Sequence, residues 1–181
     1  MRTTATHRSN EVFLIFRVKG PFRVPFHRAR SGAKLITNDA KAIFWREKAR
    51  KYKSRIGCYI FAVNNGRHYS PGYVGVATSS FRGEVFTESK LNRYNEALAD
   101  YKKGEPVLFL VVAPLGRGKP AKSKAVALEK YLIQAVKAAH PRLLNKIGTK
   151  IPRWGIAGVL RGGKGKTAES ARALRRIMGI E

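Results

Sequence analysis

The side chains best suited to chemistry in this chain are two tyrosines and a glutamate. Tyr59 ends the tripeptide Gly57-Cys58-Tyr59, Tyr73 opens the tripeptide Tyr73-Val74-Gly75, and Glu129 follows in a helix-forming segment. A phenol hydroxyl can donate or accept a proton, and a carboxylate is a ligand for divalent metal ions. Tyrosines in strands commonly just pack on a core. Only the joint pattern of these three residues therefore points to a functional site.

Glu129 falls on the apolar face of a helix predicted over residues 124–139, between Val136 and Ile133. At about 100° per residue, the apolar residues of this segment gather on one face. That face consists of Leu128, Leu132, Ile133, Val136 and Ala139. A carboxylate on this apolar face is costly unless it is paired or bound to a metal ion. Helix geometry alone is satisfied equally by an ion-paired edge glutamate and by a metal ligand.

The elements that must position these residues predict a small α/β domain. The turn signal Asn64-Asn65-Gly66 joins two of its strands. Apolar periodicity predicts, in order, strands over 58–63 and 73–77, a helical stretch over 81–103 bent near Thr87, a strand over 106–113 and the helix over 124–139. This order, β-β-α-β-α, predicts a small three-stranded mixed sheet flanked by helices.

Basic segments precede and follow this core. We divide the chain into an N-terminal extension, 1–54, a core, 55–147, and a C-terminal extension, 148–181. The extensions are predicted to hold a strand over 12–18 broken by Gly20-Pro21, a helix from about 39 to 52, a strand over 154–160, a basic loop over 161–166 and a last helix capped by Thr167. A second basic loop is predicted over 116–124, inside the core.

The charge of the chain indicates a polyanionic partner. Lysine and arginine number 37 against 11 acidic residues, which gives a net charge of +26 that repels itself in a compact fold. Nucleic acid relieves such repulsion most directly. No apolar run reaches about 18 residues and no signal sequence is evident, so we expect no membrane span and a cytoplasmic location. The single cysteine, Cys58, excludes an internal disulfide.

The tyrosine motifs, Glu129 within ALEKYLI and Asn145 within PRLLNK together resemble the GIY-YIG nuclease domain over about residues 55–147. The resemblance implies that the two motifs lie on neighbouring strands and that Glu129 binds one Mg²⁺ or Mn²⁺ ion, without a small-molecule cofactor. It also implies that Tyr59 accepts a proton from the attacking water and that Tyr73 positions this water or a phosphate oxygen. Asn145 would hold the glutamate or the shape of the site.

The chain departs from the family pattern where an arginine is expected. Many members carry it about eight residues after the glycine of the second motif. Here Arg82 is the nearest match, while Gly83 and Glu84 occupy the neighbouring positions. A helix that begins at Thr87 would turn Lys90 inward, which makes Lys90 a second candidate for the phosphate-binding cation.

The function implied is that of a metal-dependent endonuclease acting on double-stranded or branched DNA. Cations of the predicted loops would contact the DNA backbone: Arg117, Lys119, Arg161, Lys164 and Lys166. Two alternatives stay open. One is a catalytically inactive nucleic-acid-binding relative, which the imperfect arginine region favours. The other is a small RNA-binding or ribosome-associated protein, a class that is also short and very basic.

Overall fold

The fold is built on a six-stranded mixed sheet with helices on both faces. The computed structural model describes residues 14–101, 103–115, 118–140, 142–145, 154–162 and 167–180. The strand order is β5-β4-β6-β1-β7-β8. The strands of this sheet are β1 (Leu14–Arg23), β4 (Gly57–Asn64), β5 (Tyr69–Ala77), β6 (Glu105–Val112), β7 (Trp154–Ala157) and β8 (Arg161–Gly162), and a small separate pair is formed by β2 (His27–Arg28) and β3 (Lys34–Leu35).

Five α-helices surround the sheet in the described part of the chain. They are α1 (Asn38–Ile43), α2 (Phe81–Glu84), α3 (Glu88–Ala99), α4 (Gly118–Ala139) and α5 (Glu169–Met178). Helix α1 continues as a π-helical turn, Phe44–Lys48, and a 3₁₀ turn, Arg50–Tyr52. None of the described helices is both long enough and apolar enough to cross a membrane.

The central strands β4 and β6 are buried on both faces, which explains their nearly continuous apolar sequences. Alternate residues of β4 point to opposite sides. Cys58 and Ile60 belong to the core beneath α4 and α5, whereas Tyr59 and Phe61 belong to the core beneath α1, α2 and α3. The side chains of Tyr59 and Tyr73 therefore lie on one face of the sheet. Helix α4, which carries Glu129, covers the other face.

The expected α/β class is confirmed, but the expected count of three strands is wrong. Strand β1 pairs antiparallel with β6 and parallel with β7, so both terminal extensions add strands to the same sheet as the core. The physical reason is that β6 would otherwise leave an apolar edge unpaired. Alternating residues Leu14, Phe16 and Val18 of β1 supply buried apolar cover beside it.

Several element boundaries also differ from those predicted. Strand β1 runs through Gly20-Pro21, because a bulge between Lys19 and Phe22 accommodates the residues that were expected to end it. Helix α4 begins at Gly118, inside the predicted loop over 116–124. Strand β7 ends at Ala157, and α5 is capped by Ala168 rather than Thr167. The bend at Thr87 is confirmed, since α2 and α3 are separate helices and Thr87 is the N-cap of α3.

Candidate active site

The two tyrosine motifs lie on neighbouring antiparallel strands and overlap at one residue pair. Tyr59 of β4 lies opposite Gly75 of β5 in the antiparallel register. The Tyr59 ring passes over this glycine, and a Cβ added at Gly75 would lie 2.2 Å from the Tyr59 hydroxyl oxygen. The glycine of the second motif thus makes room for the tyrosine of the first.

Tyr59 is fully buried at the centre of an aromatic cluster. Its ring centroid lies 6.3 Å from that of Tyr73, which in turn lies 6.0 Å from that of Tyr94. The Tyr94 hydroxyl donates to the carbonyl of Val85 at 2.7 Å. It is also near the Tyr59 hydroxyl, but in a geometry too poor for a hydrogen bond, so the Tyr59 oxygen is buried without a partner among the described residues.

Burial raises the pKa of Tyr59 well above its usual value, and the neighbouring Tyr94 and Tyr73 add to this rise. The phenol is therefore neutral at physiological pH. Burial also raises the pKa of Tyr73, and Glu129 adds to the effect, while the charge of Arg93 opposes it. Because Tyr73 is only half-buried, its hydroxyl is the more accessible of the two.

Glu129 reaches the outer edge of the sheet from α4. Its carboxylate accepts a hydrogen bond from the backbone N–H of Val76, in the edge strand β5. Burial raises the pKa of the Glu129 carboxyl, while the charge of Lys90 and the Val76 hydrogen bond oppose this rise. The carboxylate thus lies at the sheet edge, where its charge helps to raise the pKa values of Tyr59 and Tyr73.

Lys90 of α3 is turned inward over the tyrosines. Its Nζ lies 5.3 Å from the centroid of the Tyr59 ring and donates to the carbonyl of Glu84. Burial lowers the pKa of the Lys90 ammonium, and the charges of Glu84 and Glu129 oppose this. Lys90 is therefore a half-buried cation whose charge interacts with that of Glu129.

Arg93, which sequence reasoning did not select, lies one turn after Lys90 on α3. Its guanidinium carbon is 5.7 Å from the centroid of the Tyr73 ring, and its Nη1 donates to the carbonyl of Leu144 at 3.1 Å. Residues three apart on a helix share a face. That spacing from Lys90 was the signal by which Arg93 could have been found.

Asn145 secures the same sheet edge. Among the described residues, its side chain forms hydrogen bonds with strand β5 and not with Glu129. Its Oδ1 accepts from the Val74 N–H at 2.9 Å and its Nδ2 donates to the Val74 carbonyl at 2.7 Å. The Leu144 N–H adds a bond of 3.3 Å to the Gly72 carbonyl. The backbone groups on the outer edge of β5 therefore have hydrogen-bond partners at Gly72 and Val74. At Val76, the next residue that faces outward, the partner is Glu129.

Arg82 lies apart from this arrangement. It is an exposed residue of α2 whose side chain lines a separate cleft formed with α1 and the turns that follow it. Tyr59, Tyr73, Lys90, Arg93 and Glu129 are brought together, and we call these five residues the Tyr–Glu site.

Of the five cations predicted to contact the DNA backbone, two fall in described elements and three do not. Arg117, Lys164 and Lys166 lie outside the described residues. Lys119 falls in α4 and Arg161 in β8, but their side chains are likewise outside the described part.

The Tyr–Glu site offers one carboxylate to a metal ion. Within the described residues there is no group of three or more His, Cys, Asp or Glu side chains able to hold one. Mg²⁺ usually keeps several waters and is bound by one or two carboxylates together with substrate phosphate oxygens. The donor set of Glu129 fits an ion shared with a phosphate, and does not form an all-protein metal cage.

Comparisons with known proteins supply no relative for this chain. Neither a scan against protein-family models nor searches of curated proteins and of solved structures gave a match. The chemistry of the Tyr–Glu site must therefore be argued from its own geometry.

Proposed function

We propose that the protein is a metal-dependent DNA endonuclease that hydrolyses phosphodiester bonds at the Tyr–Glu site. The observation that supports this most is the position of Glu129 at the sheet edge, where its charge interacts with Tyr73 and Lys90. These side chains come from α4, β5 and α3, three separate elements. A half-buried carboxylate, a phenol and two cations suit a charged phosphate ester better than they suit a packed core.

Each side chain has a chemical role in this proposal. Glu129 would hold Mg²⁺ or Mn²⁺, an ion that when bound polarises a phosphate and neutralises developing charge. Lys90 and Arg93 would stabilise negative charge on the phosphoryl oxygens. Asn145 would keep β5, and with it Tyr73 and the Val76 N–H, in place.

The two phenols take different roles because they differ in exposure. Tyr73 is half-buried, and the guanidinium of Arg93 near its ring favours its ionised form. We therefore propose Tyr73 as the group that contacts the attacking water. Tyr59, as a buried neutral phenol, would act as a hydrogen-bond donor rather than as the proton acceptor that the family resemblance implies.

Cleavage assays with matched variants test this function. Nicking of supercoiled and branched DNA would be measured in Mg²⁺ and in Mn²⁺ for the wild type and for Glu129→Gln, Lys90→Met and Tyr73→Phe. We expect each variant to cut about a hundredfold more slowly or worse, while it still binds DNA at matched salt. Glu96→Gln, an exposed α3 residue, serves as the control. Cleavage by Glu129→Gln at the wild-type rate would refute the proposal.

A catalytically inactive nucleic-acid-binding protein is the second candidate. It is favoured by the full burial of Tyr59 and by the position of Arg82 in a separate cleft. Such a protein would bind DNA tightly and cut none of the substrates with either metal ion. Metal-dependent cleavage that is lost in Glu129→Gln would exclude it.

A further inference from the structure

A strongly basic cleft, separate from the Tyr–Glu site, is formed around helices α1 and α2. Its volume is about 660 Å³, within the range of ligand-binding pockets. Helix α1, the π-helical and 3₁₀ turns after it, residue 53 and helix α2 form its walls. The cations that line it are Lys41, Arg46, Arg50, Lys53 and Arg82, and we call this feature the basic cleft.

The cations of the basic cleft are largely uncompensated. Among the described residues, no acidic side chain lines it. Arg46 forms an ion pair with its neighbour Glu47 at 2.9 Å, but the other four have no ion pair within the described residues. Several like charges around one cavity repel each other, and a bound polyanion would relieve that repulsion.

Trp45 forms part of the cleft wall and carries a polar group that the described residues leave unsatisfied. This residue lines the basic cleft and is only 4% exposed. Its indole N–H is buried with no hydrogen-bond partner among the described residues. An indole N–H is a donor only, and unsatisfied buried donors are rare in folded proteins. Within the described part of the chain, an acceptor for this N–H is therefore missing behind the wall of the cleft.

Helix α2 connects the basic cleft to the Tyr–Glu site. Its first turn is held by hydrogen bonds from Arg82 N to the Lys53 carbonyl at 2.9 Å and from Phe81 N to the Arg55 carbonyl at 2.8 Å. Arg82 lines the cleft, and two residues later the carbonyl of Glu84 accepts the ammonium of Lys90. Helix α2 thus contributes both to the wall of the cleft and to the position of Lys90.

We propose that the basic cleft binds consecutive phosphates of the DNA strand that flanks the reacting bond. This assigns Arg82 to substrate binding and leaves the phosphoryl charge to Lys90 and Arg93. The choice of DNA rests on the proposed function. Binding itself requires no cleavage, so it can be tested without metal ions.

The test compares two triple variants of the full chain that remove equal charge. Arg50→Gln/Lys53→Gln/Arg82→Gln alters the basic cleft, and Arg67→Gln/Lys122→Gln/Arg172→Gln alters exposed cations elsewhere. All six residues are exposed, so both variants should fold. Binding of a short fluorescein-labelled DNA duplex would be measured in EDTA over a series of salt concentrations, and circular dichroism would check the fold.

We expect the cleft variant to lose about tenfold or more in affinity and to reduce the salt slope by about three, one for each lost phosphate contact. The control variant should change the slope by less than about one. Equal losses in the two variants would overturn the proposal. Tighter binding of an RNA duplex than of DNA, abolished by the cleft variant, would overturn the choice of DNA.

Fluorescence gives a second readout that does not depend on charge removal. In Trp154→Phe, Trp45 is the one remaining tryptophan. We expect its emission to change when DNA binds and to stay constant in the same background with the cleft variant. Emission that is unaffected by saturating DNA would overturn the cleft as the binding site. A chain that shows these changes but never cuts DNA would refute the nuclease proposal and leave the cleft intact.

Discussion

The hydroxyl oxygen of Tyr59 lies where a side chain on Gly75 would have to begin. A Cβ on Gly75 would be 2.2 Å from this oxygen and 2.4 Å from the ring carbon that bears it. The two residues are also direct partners across β4 and β5. The tripeptides Gly57-Cys58-Tyr59 and Tyr73-Val74-Gly75 are thus one packing unit, and their joint presence has a physical cause.

Gly75→Ala should destabilise the protein because the new methyl group cannot coexist with the Tyr59 ring. We expect a loss of about 1–3 kcal/mol in the free energy of unfolding, measured by urea denaturation. Part of that loss should disappear in the Tyr59→Phe background, where the nearest clashing atom is absent. Gly83→Ala is the control, since a Cβ there approaches only Ser80 Oγ, at 3.2 Å. An equal effect of the two alanines would contradict this packing.

Tyr59→Phe should leave the protein as stable as the wild type or more so, by up to about 1 kcal/mol, because it removes a buried hydroxyl that has no partner in the described part of the chain. Tyr94→Phe is the matched comparison. It breaks the bond to the Val85 carbonyl and should cost about 1–3 kcal/mol. If Tyr59→Phe is stable yet cuts DNA poorly, its hydroxyl serves the reaction. A clear loss of stability would instead show that the hydroxyl has a partner in solution.

Much of the fold follows from local sequence patterns. The apolar runs of β4 and β6 and the break at Thr87 each have a short-range cause, and the structure has all three features. The strand count was wrong because it depends on long-range pairing. Only the tertiary fold places β1 between β6 and β7 and so extends the sheet beyond the core.

Helix periodicity was also a sound guide to part of the candidate site. It predicted that Glu129 lies on the apolar face of α4 and that Lys90 turns inward, and the structure has both side chains half-buried. It could not predict how two elements meet. Glu129 reaches around the edge of β5, and Arg82 faces a cleft built by the N-terminal extension. The burial of Tyr59 depends on packing from α2 and α3 and has no local signal.

Asn145→Ala should open the edge of β5. The lost side chain leaves both backbone groups of Val74 unpaired on that side, at a cost of about 1–3 kcal/mol in the free energy of unfolding. Hydrogen exchange should become faster in the peptide covering 69–77. Asn95→Ala is the control, because Asn95 makes the same pair of bonds to Ile36 and should loosen only that segment. Unchanged exchange in β5 would show that Asn145 does not secure the strand.

Stability should depend on pH through Glu129. Burial raises the pKa of Glu129 in the fold, whereas a glutamate in an unfolded chain has a pKa of about 4.3. Between these two pKa values the folded state therefore binds more protons than the unfolded state. This carboxyl therefore costs no stability below the unfolded pKa, and its ionisation removes stability as the pH rises through the folded pKa. Glu129→Gln cannot ionise. We expect the stability of this variant relative to wild type to increase over that window, as measured by urea unfolding at successive pH values. If the difference in stability between Glu129→Gln and the wild type became smaller as the pH rises, this would contradict a raised pKa for Glu129.

Addition of millimolar Mg²⁺ to the same experiment tests the metal ligand without any cleavage assay. An ion that binds only the folded state stabilises it by mass action, and it does so through the ionised carboxylate. Above the folded pKa of Glu129, Mg²⁺ should raise the unfolding free energy of the wild type and leave that of Glu129→Gln unchanged. Glu96→Gln should respond like the wild type, because Glu96 is exposed on α3. Equal stabilisation of all three proteins would place the ion elsewhere and remove Glu129 from the proposed metal site.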